Sequence, residues 1–246
     1  MAVLRLSRPE KRNAIDNTTL LGIETFFDHL PEEAGAVVVH GEGGCFSAGL
    51  DLSTLAETSA GEAMLHSWVW TRAFEKIEFG RVPVVAVLHG ATIGGGLEFA
   101  STAHIRVAER STFYALPEGQ RGIYVGGGAS VRVARLIGTS RMMEMMLTGH
   151  TYGAEEGMAL GFSHYVVEEG AGFAKGMELA RKAASNAPMT NFAILQALPR
   201  IAEAARPTGH LLEAMASAIA QDAPEAKQRL RDFLEKRADR VQHRPE

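Results

Sequence analysis

The sequence predicts an α/β fold that continues into a purely helical region. Three observations carry that prediction. GAVVVHG and PVVAVLHG are continuous apolar, β-branched runs bounded by glycine or proline, as buried strands are. Strand-like and helix-like segments alternate as far as about residue 170, which implies βα units with much parallel pairing. Beyond that point only helical patterns remain.

Taken in order, AVLRLS alternates apolar and polar residues, the pattern of a half-buried strand. Residues 18–30 carry an amphipathic helical pattern, and GAVVVHG follows as the first buried strand. Residues 62–78 read as a helix, PVVAVLHG as the second buried strand, and residues 96–103 as the start of another helix. HIRVA and STFYA are short strands. Helices are expected at 173–187, 188–198, 209–220 and 224–237, with prolines at the breaks. This divides the chain into an α/β body, residues 1–187, and a helical region, residues 188–246. Runs such as ILQAL and LLEAMASAIA make that region apolar enough to require a partner surface, from its own body or from another subunit.

The chain has 246 residues, 46% of them hydrophobic, which is enough for a substantial core. The formal net charge is -4 with no long run of one sign, so neither nucleic acid nor an anionic membrane is an expected partner. Cys45 is the only cysteine, which excludes an intrachain disulfide and suits a reducing compartment. The stretch MAVLRLSRPEKRNA lacks the apolar core of a signal peptide, and no apolar run approaches the ~18 residues of a membrane span. A soluble, cytoplasmic protein is expected. The nine histidines are scattered without HExxH-like spacing, so no metal centre is expected.

Two glycine-rich loops each follow a buried strand: VVVHGEGGCFSAGLDL at 37–52 and VVAVLHGATIGGGLEFA at 84–100. A strand, a glycine turn and a helix start together leave peptide N–H groups free to face a negative charge. Neither loop continues into the Lys-Ser/Thr of a phosphate-binding loop or into a dinucleotide fingerprint. Tight packing turns are the simplest reading of either loop alone. Two together allow donors to converge on one oxygen that becomes negative during reaction. In GLEFASTAHIRVAERSTFYALPE, Glu98 follows three glycines at an apolar helix start and Glu118 follows a proline after the next strands. A solvated face does not explain Glu98 there, so the two glutamates are candidates for a proton-handling pair.

The chain resembles the crotonase superfamily, the enoyl-CoA hydratase/isomerase family. The matching segments are LSRPEKRNAID at 6–16, CFSAGLDL at 45–52, LHGATIGGGLEFA at 88–100, FYALPEGQRGI at 113–123, VGGGASVRVARLIG at 125–138 and MMLTGHTYGAEEGMALGFSHYVV at 145–167. The resemblance implies a spiral of ββα units with a C-terminal helical trimerisation region. It implies an acyl-CoA substrate that carries its own coenzyme A, no separate cofactor, and a homotrimer or homohexamer. Carried over by position, the oxyanion donors are the backbone N–H groups of Leu50 and Gly95. Lys11, Arg12, Ala48, Asp51 and Leu52 line the coenzyme A path. Glu98 and Glu118 match the two catalytic acids of the hydratase branch, which implies a carbon–oxygen lyase adding water across the C2=C3 bond of a trans-2-enoyl-CoA. A Δ3,Δ2-enoyl-CoA isomerase, which keeps only the position of Glu118, is the alternative enzyme. A catalytically silent acyl-CoA-binding subunit is the alternative from another class.

The chain departs from the family pattern in places. GIYVGGGAS lacks the usual proline before its glycine run, which makes Tyr124 and Val125 candidates for the acyl wall. His104 stands where the family often has aspartate and is read as structural. Trp68, Trp70 and Phe74 are candidates to shape the acyl pocket, with core aromatics at helical spacing as the simpler reading, and Met142, Met143, Met145 and Met146 are read as packing. Cys45 has no evident partner base and is not expected to be a nucleophile. The helix start beside Glu98 is expected to favour its charged form, and so its role as base.

Overall fold

A computed structural model describes residues 1–54, 57, 59–235 and 237. The elements run β1 (Ala2–Leu6), α1 (Asn17–Asp28), β2 (Val37–Gly41), α2 (Ala60–Glu78), β3 (Val84–Leu88), β4 (Ala91–Ile93), α3 (Gly95–Ala100), β5 (Ile105–Glu109) and β6 (Phe113–Ala115). They continue with α4 (Ala129–Ile137), α5 (Thr139–Thr148), β7 (Thr151–Gly153), α6 (Ala154–Leu160), β8 (Tyr165–Val167), α7 (Gly172–Ala184), α8 (Pro188–Glu203), α9 (Arg206–Asp222) and α10 (Pro224–Leu234). The chain forms two compact units, Met1–Ala183 and Ala184–Glu246.

In the first unit, β1-β2-β3-β5-β8 form one sheet, with every pair parallel. β2 and β3 lie inside it, covered on both faces, which is why they read as unbroken apolar runs. β1 is an edge strand that turns Leu6 inward and leaves Val3 and Arg5 exposed, which is why its sequence alternates. A second, smaller sheet, β4-β6-β7, stacks the segments that follow the main strands. Isolated parallel bridges extend it: Ile15 pairs with Leu50, and Ser47 with Thr92. Successive turns of the spiral therefore contribute a strand to one layer and a short rung to the other. Ile15 N–H donates to Gly49 O at 2.7 Å, Ser47 N–H to Ala91 O at 3.0 Å, and Gly94 N–H to Ala115 O at 2.9 Å. These rungs bring Leu50, Gly95 and Glu118 onto consecutive turns.

Helix boundaries follow local chemistry. Asp16 caps α1 by accepting from Thr19 N–H at 2.7 Å. Ser59 and Glu62 form a capping box that starts α2. The sequence reading assigned nothing to α4, α5 and α6, although 129, 133 and 137 bury one face of α4 at helical spacing and Gly138, Gly149 and Gly161 end the three helices. β7 and β8 are three residues each, too short for a periodic pattern to show.

The second unit begins at the end of α7 and contains α8, α9 and α10, each with a proline in its first turn. The expected break at Leu198 is not there: α8 runs on to Glu203 with Pro199 inside it. An internal proline costs about 3 kcal/mol, and α8 meets that cost by packing along α9, with Leu195 buried. α10 stops at Leu234 rather than 237, and residues 238–246 of the expected helical region lie outside the described residues.

Candidate active site

The second and third turns of the spiral meet at Leu50 and Gly95. A Cβ added to Gly95 would stand 3.2 Å from the Leu50 nitrogen and 2.9 Å from Cζ3 of Trp70, so only glycine lets the two peptides approach. Gly95 is the first residue of α3, where an N–H has no acceptor within its helix. Leu50 bridges Ile15 through its neighbours, since Gly49 O accepts from Ile15 and Asp51 N–H donates to Ile15 O at 2.9 Å. Among the described residues, neither the Leu50 nor the Gly95 N–H has a hydrogen-bond acceptor.

Both line a cleft of about 360 Å3, and so do Glu98 and Glu118. The two carboxyls are 4% and 7% exposed. Glu98 sits in the first turn of α3, but its donors come from elsewhere: Oε1 accepts from Gly127 N–H at 2.7 Å and from Ala129 N–H at 3.0 Å, at the start of α4. Burial pushes Glu98 up from the ordinary carboxylate range. The Ala129 and Gly127 donors, and then the Arg132 charge, pull the other way. The expectation that α3 itself favours the anion is thus corrected. The opposing donors belong to the loop before α4 and to the first residue of α4, and desolvation outweighs them.

Glu118 opens a 3-10 turn, Glu118–Arg121, after β6. Its Oε1 would lie 2.7 Å from a Cβ on Gly94, whose φ of +53 also suits glycine. Its Oε2 is buried without a hydrogen-bond partner among the described residues. Burial raises this carboxyl to about 7; its own N–H opposes the rise, the Glu98 charge adds to it, and Arg121 opposes it. The two carboxyls therefore differ in kind: one is clamped by two N–H donors and a cation, the other has a bare oxygen and holds its proton up to about neutrality.

Of the residues assigned to the coenzyme A path, Ala48 and Leu52 line the cleft. Asp51 is buried and committed within the protein: it accepts from Arg8 at 3.1 Å and from the Ser53 hydroxyl at 2.6 Å, and the Ser53 contact chiefly lowers its pKa. Lys11 and Arg12 are exposed on the turn before Asn13. The Arg12 carbonyl accepts from Ala48 N–H at 2.9 Å, which ties that turn to the cleft wall. Tyr124 and Val125 line the cleft, with Tyr124 largely exposed.

Trp70 and Phe74 are buried, and Trp70 lines the cleft, but Trp68 is 57% exposed. Residues two apart point to opposite sides of a helix, so 68 and 70 could not share a face. His104 is structural: Nδ1 accepts from Val84 N–H at 3.0 Å, Nε2 lies 3.1 Å from Glu78 O, and burial lowers its pKa. Cys45 is buried with its thiol on Arg12 O, and burial raises its pKa, which disfavours the thiolate. Met142 and Met145 are core, whereas Met143 is exposed. Sequence reasoning missed Ser67, Arg121 and Arg132. A serine or arginine among helical residues carries no local mark of where the fold will aim it.

Two buried carboxyls of unequal surroundings thus share one cleft with a pair of amide N–H groups that have no acceptor among the described residues. The chain belongs to the enoyl-CoA hydratase/isomerase family, whose sequence model matches residues 1–243. It is 32% identical over 241 residues to a Bacillus subtilis protein named "Probable enoyl-CoA hydratase", covering 96% of this chain and 93% of that one. It is 28% identical over 240 residues to the short-chain-enoyl-CoA hydratase of Clostridium acetobutylicum, covering 96% and 92%. A crystal structure of a "putative enoyl-CoA hydratase" from Rhodopseudomonas palustris superposes with a TM-score of 0.92 at 54% identity, covering 96% of this chain and 92% of that one. The fold is the crotonase fold. Among the described residues no helix is long and apolar enough to cross a membrane, and no group of three or more His, Cys, Asp or Glu could hold a metal ion.

Proposed function

We propose that the protein is an enoyl-CoA hydratase that adds water across the C2=C3 bond of a trans-2-enoyl-CoA. The observation that carries this reading is the pair of buried glutamates, Glu98 and Glu118, lining the same cleft as the unpaired N–H groups of Leu50 and Gly95. The thioester oxygen accepts from those two amides, which draws electrons from the conjugated system and makes C3 electrophilic. Glu98, ionised, takes a proton from water as the water oxygen bonds to C3. The C2=C3 pair moves onto the thioester to form an enolate, and Glu118 gives its proton to C2 as the carbonyl re-forms. Glu98 is left protonated and Glu118 ionised, so a proton must pass back, by way of solvent or product, before the next turnover. The hydrogen-bond geometry supports this division of labour: two N–H groups donate to Glu98 and favour its anion against the burial that raises it, whereas Glu118 Oε2 has no donor among the described residues and its carboxyl remains protonated to about pH 7.

Coenzyme A runs along Ala48 and Leu52, with Lys11 and Arg12 meeting its phosphates and Asp51 holding the wall through Arg8. Tyr124 and Val125 shape the acyl side. Exposed apolar residues of the second unit, including Leu211, Met215 and Ile219, support assembly into a trimer or a hexamer of this chain. Sedimentation equilibrium tests that assembly. The activity is tested by incubating the protein with trans-2-enoyl-CoA thioesters of graded size. Loss of the conjugated-thioester absorbance with formation of a 3-hydroxyacyl-CoA supports the reading, and an unchanged substrate across the panel refutes it.

A further inference from the structure

Arg132 lies in the first turn of α4, where a cation works against the helix dipole, and it is only 7% exposed. Neither local propensity nor solvation accounts for an arginine there. Its contacts do. Nη2 donates to Gly127 O, the carbonyl of the residue whose own N–H holds Glu98. Nε donates to Ser101 Oγ at 3.2 Å, and Ser101 in turn donates to Glu98 O at 2.6 Å. Nη1 pairs with Glu78 of α2 at 3.1 Å, and the guanidinium carbon stands 5.8 Å from the Phe74 ring centre. The same loop is tied from its other side by Ser67, whose hydroxyl donates to Gly126 O at 2.5 Å. Both carbonyls are thus engaged by side chains, while the N–H groups of 127 and 129 donate to the carboxylate.

We infer that Arg132 is a positioning residue for Glu98: its buried guanidinium fixes both the loop that holds the carboxylate and the turn that carries it, and supplies the positive charge facing it. This rests on the reading of Glu98 as the group that activates water. The charged groups bearing on Glu98 are Arg132 from α4 and Glu118 from the turn after β6; Glu78 acts through its pair with Arg132, and Arg121 acts on Glu118. A guanidinium is needed rather than an ammonium because three acceptors on three segments require a planar fork.

The test has two readouts. The first is the 13C titration of the Glu98 carboxyl in glutamate-labelled protein, assigned by loss of its resonance in E98Q. The second is the pH profile of kcat and KM with a four-carbon trans-2-enoyl-CoA. In R132M the Glu98 midpoint moves up by about one pH unit, the acid limb of kcat moves with it, and KM changes little. E78Q keeps an acceptor for Arg132 but removes its counter-charge, so the midpoint moves down. R132K keeps the charge but loses the fork, so kcat falls while the acid limb stays near its wild-type position. An unmoved Glu98 midpoint in folded R132M overturns the inference. If R132M does not fold, an unmoved midpoint in E78Q overturns it. Absence of hydration in the wild type, with the midpoints moving as stated, would instead remove the proposed activity and leave the Arg132–Glu98 coupling standing.

Discussion

Replacing Glu118 by glutamine changes the electrostatics of the cleft while nearly preserving its shape. The folded protein holds this carboxyl at about 7, against 4.5 for an unperturbed glutamate. Each pH unit of displacement is worth about 1.4 kcal/mol, so ionised Glu118 opposes folding by roughly 3 kcal/mol well above neutrality. The sign follows from the raised folded-state value. The stability is fully present below about pH 4.5, where the group is protonated folded or unfolded, and is lost as pH rises through 7. Glutamine cannot ionise. E118Q is therefore expected to match the wild type within about 1 kcal/mol at pH 5 and to exceed it by roughly 3 kcal/mol at pH 9. Urea unfolding followed by tryptophan fluorescence at the two pH values measures that gap. The same variant lacks the proton for C2, and kcat for hydration is expected to fall by about 10²–10⁴-fold. A stability gap that does not grow between pH 5 and pH 9 would refute the electrostatic argument. A kcat within ten-fold of wild type would refute the catalytic one.

The remaining predictions concern the rest of the cleft. E98A is expected to lose hydration by at least about 10²-fold while leaving the thermal midpoint within a few degrees; a variant that keeps most of its turnover on a Δ3-enoyl-CoA instead points to an isomerase. G95A puts a methyl 3.2 Å from the Leu50 nitrogen and 2.9 Å from Trp70, so kcat should fall by about 10²–10³-fold, measured at saturating substrate. The double variant K11A/R12A should raise KM for the coenzyme A thioester with little change in kcat. Its KM should also depend less steeply on ionic strength than that of the wild type, because exposed charges act through screened attraction.

Much of the fold is legible in the chain because burial writes itself locally. β2 and β3 are interior parallel strands, covered on both faces, and a β-branched run is what such a position selects. The same holds for the candidate site where chemistry forces an unusual residue: Glu98 at an apolar helix start, and glycine at 94 and 95, where the fold brings Glu118 and Leu50 too close for a Cβ. Other features leave no local trace. The turn carrying Trp68 and Trp70 offers two aromatics, and only the rotation of α2 decides that one faces the cleft and the other solvent. Pro199 reads as a stop, and packing against α9 carries the helix through it.

By itself the sequence determined the α/β order, the helical C-terminal region, the family, and the residues most apt for proton transfer and anion stabilisation. The first two follow from composition and spacing, which act over a few residues; the family and the positions of the candidate site follow from the resemblance of its motifs. Tertiary structure alone decided that Leu50, Gly95 and Glu118 stand on consecutive turns of one spiral. It also decided that the donors to Glu98 come from a loop and helix start about thirty residues downstream, and that a buried arginine is folded back beneath them. The physical reason is that hydrogen bonds and charge act through space: a carboxyl's environment is set by whichever backbone the fold brings within about 3 Å of it.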